Sequence, residues 1–209
     1  MKLFLASEAR NEIALEKLKD FIGGSFENKK IAYIPTAQNG KYYGAWKRED
    51  CVGEVLALGA NTKIIELESC SYKNIVDEIY GSDIIWFEGG MPSYLLYWIR
   101  RSELDKKLPE MLNQGTVYVG SSAGTMICSK TMHLTEHYIG ESEPGGSLLP
   151  GLGYVDFEIY PHYTDDLKSQ IEKIWPNKLG KLYLLKDGDA ITKVGDKIEV
   201  LGEELIIGS

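Results

Sequence analysis

The feature that most constrains this chain is an alternation: apolar runs of four to six residues separated by amphipathic stretches, repeated through its first 119 residues. Strands buried on both faces read as continuous apolar runs, and the helices that connect parallel strands fall between them, so the pattern calls for an α/β fold. Strands are predicted over residues 3–6, 31–34, 63–67, 83–87 and 116–119. Between them Ile13, Leu15, Leu18, Phe21 and Ile22 recur at helical spacing before Gly23-Gly24, and Val52, Val55, Leu56 and Leu58 do so before Gly59. Residues 75–80 form a third helix, and Pro92 suits the first turn of another. Beyond residue 140 the pattern changes. Residues 141–153, rich in Gly, Pro and Ser, read as a long loop, and 155–160 as a strand followed by a helix carrying Leu167, Ile171 and Ile174. Short strands over 182–185, 190–193, 197–201 and 205–207, separated by Gly-Asp turns, read as a small antiparallel extension of the sheet. The expectation is a three-layer fold: a mainly parallel sheet flanked by helices, with short antiparallel strands at the C-terminus, in one domain spanning 1–209.

Composition narrows the function. A formal net charge of −8 lacks the basic footprint of a nucleic-acid or anionic-membrane binder, leaving small molecules or proteins as partners; the assembly stays open between monomer and homodimer. Cys51, Cys70 and Cys128 stand apart, with no CxxC or His-rich spacing, and read as reduced thiols. The apolar run at residues 3–6 is too short for a signal-peptide core or a membrane span. Together these place the protein in the cytoplasm.

The strongest chemical signal is Gly120-x-Ser122-x-Gly124, directly after a predicted strand and before a helical segment over 125–128. A strand that turns sharply into a helix holds its middle residue in a strained conformation and projects that side chain above the sheet; small neighbours let substrate approach. Ser122 is the candidate nucleophile, and the Ala123 N–H, at the helix start, a candidate oxyanion donor. The same pentapeptide also fits a plain glycine-bounded turn in which Ser121 or Ser122 caps the helix. Of the three histidines, His133 and His137 follow the turn closely. His162 sits at the C-terminal end of a strand, the edge of an open α/β sheet at which ligands bind.

As a set, Ile34-Pro35, Gly89-Gly90, Ser122-Ala123-Gly124 and Pro161-His162-Tyr163-Thr164 resemble the peptidase E family of aspartyl dipeptidases, related to cyanophycinase, from the first strand to the final hairpins. The resemblance implies a fold like the class I glutamine amidotransferases with serine in place of their cysteine, hydrolysis near the N-terminus of short peptides, and neither cofactor nor metal. It makes Ser122 the nucleophile, His162 the general base, and Gly90 with Ala123 the oxyanion hole. Met91 departs from the polar residue usual after the glycine pair. For the third member, Glu136 is slightly favoured, beside the position fifteen residues past Ser122; Asp187 is the alternative and Asp165 a further one, while Thr164 stands where the amidotransferases carry a glutamate. An N-terminal Asp on the substrate would need a cation, and Lys41, Lys47, Arg48, Arg100, Arg101 and Lys130 fit by position. Residues 38–48 and 141–153 are expected as pocket walls or a lid. Two other functions share the fold: a different acyl transfer, disfavoured by serine at 122 with Cys128 six residues further on, and a noncatalytic ligand or protein binder.

Overall fold

The computed structural model describes residues 1–47, 51–69, 72–176 and 179–208; Arg48, Cys70 and the side chain of Cys51 lie outside the described part. Five strands, β1 (Lys2–Ala6), β2 (Lys30–Ile34), β3 (Asn61–Ile64), β4 (Ile84–Phe87) and β5 (Val117–Ser121), run parallel in the order β3-β2-β4-β5-β1. β8 (Ala190–Val194) pairs antiparallel with β1, and β9 (Lys197–Leu201) antiparallel with β8. The period-two alternation of a strand explains why the run Ile84–Phe87 is apolar throughout: Ile85 and Phe87 enter the core on one face, Ile84 and Trp86 the core on the other. The first core also takes Ile75 and Ile79 of α3 (Tyr72–Ile79), Leu95 and Ile99 of α4 (Pro92–Arg101), and Leu108 and Leu112 of α5 (Leu104–Asn113). The second takes Ala14 and Leu18 of α1 (Glu12–Phe21) and Val55 of α2 (Cys51–Leu56). The expected three layers follow.

Three expectations need correction. The third strand ends at Ile64, because the Thr36 hydroxyl takes the Leu67 N–H at 3.0 Å and folds Leu67–Ser69 into a 3-10 turn. Helix α5 is absent from the sequence reading, since its charges and Pro109 obscure an apolar face of Leu104, Leu108, Met111 and Leu112. The late strands do not all extend the main sheet. β8 and β9 do, whereas β7 (Leu182–Leu184) and β10 (Leu205–Ile207) join β6 (Glu158–Tyr160) in a second sheet ordered β10-β7-β6. There β6 and β7 are parallel. This sheet has its own apolar core, in which Leu182 and Leu184 pack with Tyr160, Tyr163, Ile171 and Trp175, helped by α7 (His133–His137) and α8 (Lys168–Ile174). A three-residue strand carries no local mark of its partner, so burial against α8 decides it. Among the described residues no helix is long and apolar enough to cross a membrane.

Candidate active site

The parallel strands end at one edge, and the candidate residues gather there. β5 leaves the sheet at Ser122, whose backbone sits at φ 47°, ψ −105°. A non-glycine residue in that region costs about 1–3 kcal/mol and persists only where its surroundings over-determine it. Here the Ser122 N–H donates to the Ser7 carbonyl at 2.9 Å and the Ala6 carbonyl at 3.2 Å, and its carbonyl accepts from Thr125 and Met126, both at 2.9 Å. The Thr125 hydroxyl donates to the Ala6 carbonyl at 2.7 Å. The flanking glycines are required by contact: a Cβ on Gly120 would stand 2.7 Å from the Gly124 carbonyl oxygen, and one on Gly124 would overlap the Phe87 carbonyl. The single-turn helix α6 (Ala123–Met126) follows. Neither serine is a mere cap, since Ser122 makes no capping bond and the Ser121 hydroxyl accepts the Ala9 N–H at 3.1 Å. Across from this turn Gly90 adopts φ 133° against the Ala37 carbonyl, where no side chain fits. The Gly90 and Ala123 N–H groups donate to no acceptor among the described residues.

His162 comes from the second sheet, two residues past β6, and Asp187 from three residues past β7. Because β6 and β7 are parallel, their C-terminal ends lie side by side, and His162 Nδ1 meets Asp187 Oδ1 at 2.8 Å. Ser7, fully buried at the end of β1, joins them: its hydroxyl donates to Asp187 Oδ1 and accepts the His162 N–H, both at 2.7 Å. His162 itself sits at φ 55°, like Ser122 a non-glycine residue at positive φ. The Asp187 hydrogen bond raises the His162 pKa against the opposing effect of burial, and the same bond holds Asp187 below the usual carboxylate range.

The preference for Glu136 is thereby corrected. Glu136 lies in α7 with Ser147 as its main hydrogen-bond partner, which lowers its pKa, and Asp187 occupies the place beside His162. Asp165 pairs with Lys186 at 3.0 Å. His133 and His137 remain in α7.

Two hollows meet at Gly90 and Ser122. One, of about 600 Å³ with its open mouth, is lined by Met91, Pro92, Met126 and Tyr138, and also by Thr135, Glu141, Ser142 and Glu143. The other, of about 620 Å³, is walled by His162 and by a charged cluster that sequence reasoning missed, Glu8, Arg10 and Glu88. Arg10 stands 3.3 Å from Glu8, 3.4 Å from the buried Glu88 and 2.5 Å from Glu54. Burial works to lower the Arg10 pKa, but Glu88, Glu8 and Glu54 outweigh it. The available signal was position: Ser7, Glu8 and Glu88 are polar residues immediately beyond apolar strands. Of the six cations allowed by position, Arg48 is outside the described residues. Arg100 binds the Pro150 and Gly151 carbonyls, Lys47 pairs with Glu66 at 3.4 Å, and Arg101 and Lys130 are exposed and line neither hollow. Lys41 lines both, paired with Glu141 at 2.8 Å.

An α/β sheet that holds a serine at positive φ on a strand-to-helix turn, with a histidine on the wall of the same hollow, defines a hydrolase of the serine type. The comparisons give its family. The model of peptidase family S51 matches residues 3–201, and the chain belongs to that family of serine-type peptidases. It is 30% identical over 169 residues to an uncharacterized peptidase of Pasteurella multocida, covering 78% of each chain. To a peptidase E of a Nostoc species it is 29% identical over 153 residues, covering 73% of this chain and 59% of the relative. A crystal structure assigned as a peptidase E of Listeria monocytogenes superposes with a TM-score of 0.76 at 23% identity over 98% of both chains, and so shares the fold.

Proposed function

We propose that this chain is a serine exopeptidase of dipeptides and other short peptides, acting through an acyl-enzyme on Ser122. The observation that carries the reading is the 2.8 Å contact of Asp187 with His162 Nδ1. A carboxylate there keeps the proton on Nδ1 and leaves Nε2 as the base. Nε2 takes the Ser122 hydroxyl proton as Oγ bonds to the substrate carbonyl carbon, and the Gly90 and Ala123 N–H groups receive the negative charge on the carbonyl oxygen. The proton then passes to the departing amine as the peptide bond breaks. Water, deprotonated by the same histidine, releases the acid and restores the serine. The buried, unpaired thiol of Cys128 suits a cytoplasmic site of action. The resemblance to aspartyl dipeptidases makes N-terminal Asp one candidate side chain, and Lys41, which lines both hollows, is the cation nearest to it by position, though it is already paired with Glu141.

A panel of dipeptides with varied first residues, assayed with and without a chelator, tests this reading. Ser122→Ala and His162→Ala are each expected to lose at least about 10³-fold in turnover with the fold intact. Near-full turnover in either variant overturns it.

A further inference from the structure

The two hollows differ in a way that bears on substrate choice. Met91, Pro92, Met126 and Tyr138 give the first hollow its mostly apolar lining, which Thr135, Ser142 and the charges of Lys41, Glu141 and Glu143 interrupt. Lys41 is already held by Glu141 at 2.8 Å, and Glu143 accepts the Ser93 N–H at 3.0 Å through one oxygen while its other is buried without a hydrogen bond. A carboxylate entering here would meet two carboxylates for one neutralised ammonium. The second hollow is charged, with Glu8, Glu88 and Glu141 facing Arg10 and Lys41. Its arginine is shared among Glu8, Glu54 and Glu88, so it has no spare charge for a substrate carboxylate. Burial and the neighbouring Glu88 push the Glu8 carboxyl up, as expected where negative charge exceeds positive.

We propose that the residue acylating Ser122 places an uncharged, apolar side chain in the Met91–Met126–Tyr138 hollow and its free α-ammonium in the Glu8–Glu88 hollow, so that the substrates are short peptides with an apolar N-terminal residue rather than an aspartate. The inference rests on the exopeptidase reading above, because it requires the first residue of the peptide to span Gly90 and Ser122, where the hollows meet. An ammonium relieves the acidic excess that Arg10 leaves, and an aliphatic side chain replaces water on the methionine and tyrosine surfaces. An N-terminal Asp gains from neither.

Binding to Ser122→Ala, measured by calorimetry, separates the two readings, since it needs no turnover. Leu-Ala is expected to bind at least about tenfold tighter than Asp-Ala, and N-acetyl-Leu-Ala at least about tenfold weaker than Leu-Ala, each step equivalent to about 1.4 kcal/mol. Equal or tighter binding of Asp-Ala, indifference to acetylation, or no binding of any of the three overturns the assignment. Met91→Lys, in the Ser122→Ala background, is expected to shift the Asp-Ala to Leu-Ala affinity ratio toward Asp-Ala by at least tenfold; an unchanged ratio places the side chain elsewhere. Wild-type hydrolysis of Asp-Ala with tighter Asp-Ala binding would sink this assignment while leaving the exopeptidase intact. Leu-Ala binding with no hydrolysis by the wild type would do the reverse.

Discussion

The two sheets contribute to the site in different ways. The main sheet presents Ser122 by means of its immediate neighbours in sequence: Gly120 and Gly124 have no room for a Cβ, and strand β5 runs straight into the turn. The small sheet presents His162 and Asp187 by pairing two three-residue strands more than twenty residues apart. One half is encoded locally and the other by tertiary contact, and Ser7 hydrogen-bonds across the gap to both members of the second half. A site divided in this way fails differently according to which side is cut, and that difference can be measured.

The largest loss is expected on the main-sheet side. Ser122→Ala removes the atom proposed to attack and is expected to lower kcat by at least about 10³-fold, with no change in KM beyond a few-fold. On the small-sheet side, Asp187→Asn keeps the shape but no longer favours the proton on Nδ1 or the imidazolium, and a kcat loss of about 10²–10⁴-fold is expected. The pH profile distinguishes this from misfolding. Since Asp187 raises the His162 pKa and the base must be neutral, the acidic limb of kcat/KM lies above the ordinary histidine value of about 6.5 in the wild type and moves down in Asp187→Asn. A limb that stays in place would separate Asp187 from His162.

Stability responds to pH with the opposite sense. The raised pKa of His162 gives a contribution present below its ordinary value and lost as pH climbs through the raised one. The lowered pKa of Asp187 gives a contribution present above the ordinary carboxylate value and lost as pH falls through the lowered one. The pair therefore supports the fold most between about pH 4 and 6.5, and the neutral histidine that the proposed mechanism needs forms where that support declines. The Tm difference between wild type and Asp187→Asn, followed from pH 4 to 9, should shrink toward the alkaline end; a constant difference would show that the two do not titrate together.

The same division explains what was legible in the sequence. The alternation of apolar runs, the strand-to-helix turn and His162 at a strand end are local patterns, and each is found where it was read. Strand β3 stopped short because one hydroxyl, that of Thr36, captured an amide from a distant turn. The carboxylate beside His162 differs from the one favoured for a related reason: distance along the chain from Ser122 points to Glu136, whereas distance in space is set by the parallel pairing of β6 with β7, which no short-range signal records. The Glu8–Arg10–Glu88 cluster escaped notice because its members come from the ends of β1 and β4, which only the sheet order brings together.

Ser7→Ala tests the link between the halves. It leaves the His162 N–H and one Asp187 lone pair without their buried partner, a loss of about 1–3 kcal/mol in stability. A fall of about tenfold in kcat is expected, with KM little changed and the acidic limb displaced, because the histidine–aspartate geometry loosens while the hollows are untouched. Ser7→Cys, which keeps a weak donor, should recover part of the rate; a Ser7→Ala variant that loses stability but keeps both rate and pH profile would reduce Ser7 to a structural role.

The smallest effect is expected at Glu136, and it is the sharpest check on the division. Glu136 is nearer in sequence to Ser122 than Asp187 is, yet its hydrogen bonds tie it to Ser147 and it lines neither hollow. Glu136→Gln should therefore leave kcat/KM within about twofold and the acidic limb in place, because neither the histidine pair nor the substrate hollows contains its charge. Should it match Asp187→Asn in rate and pH shift, a residue close in sequence to Ser122 would supply the acid after all. Spatial pairing of β6 and β7 would then be the incidental feature, and the sequence interval from Ser122 the informative one.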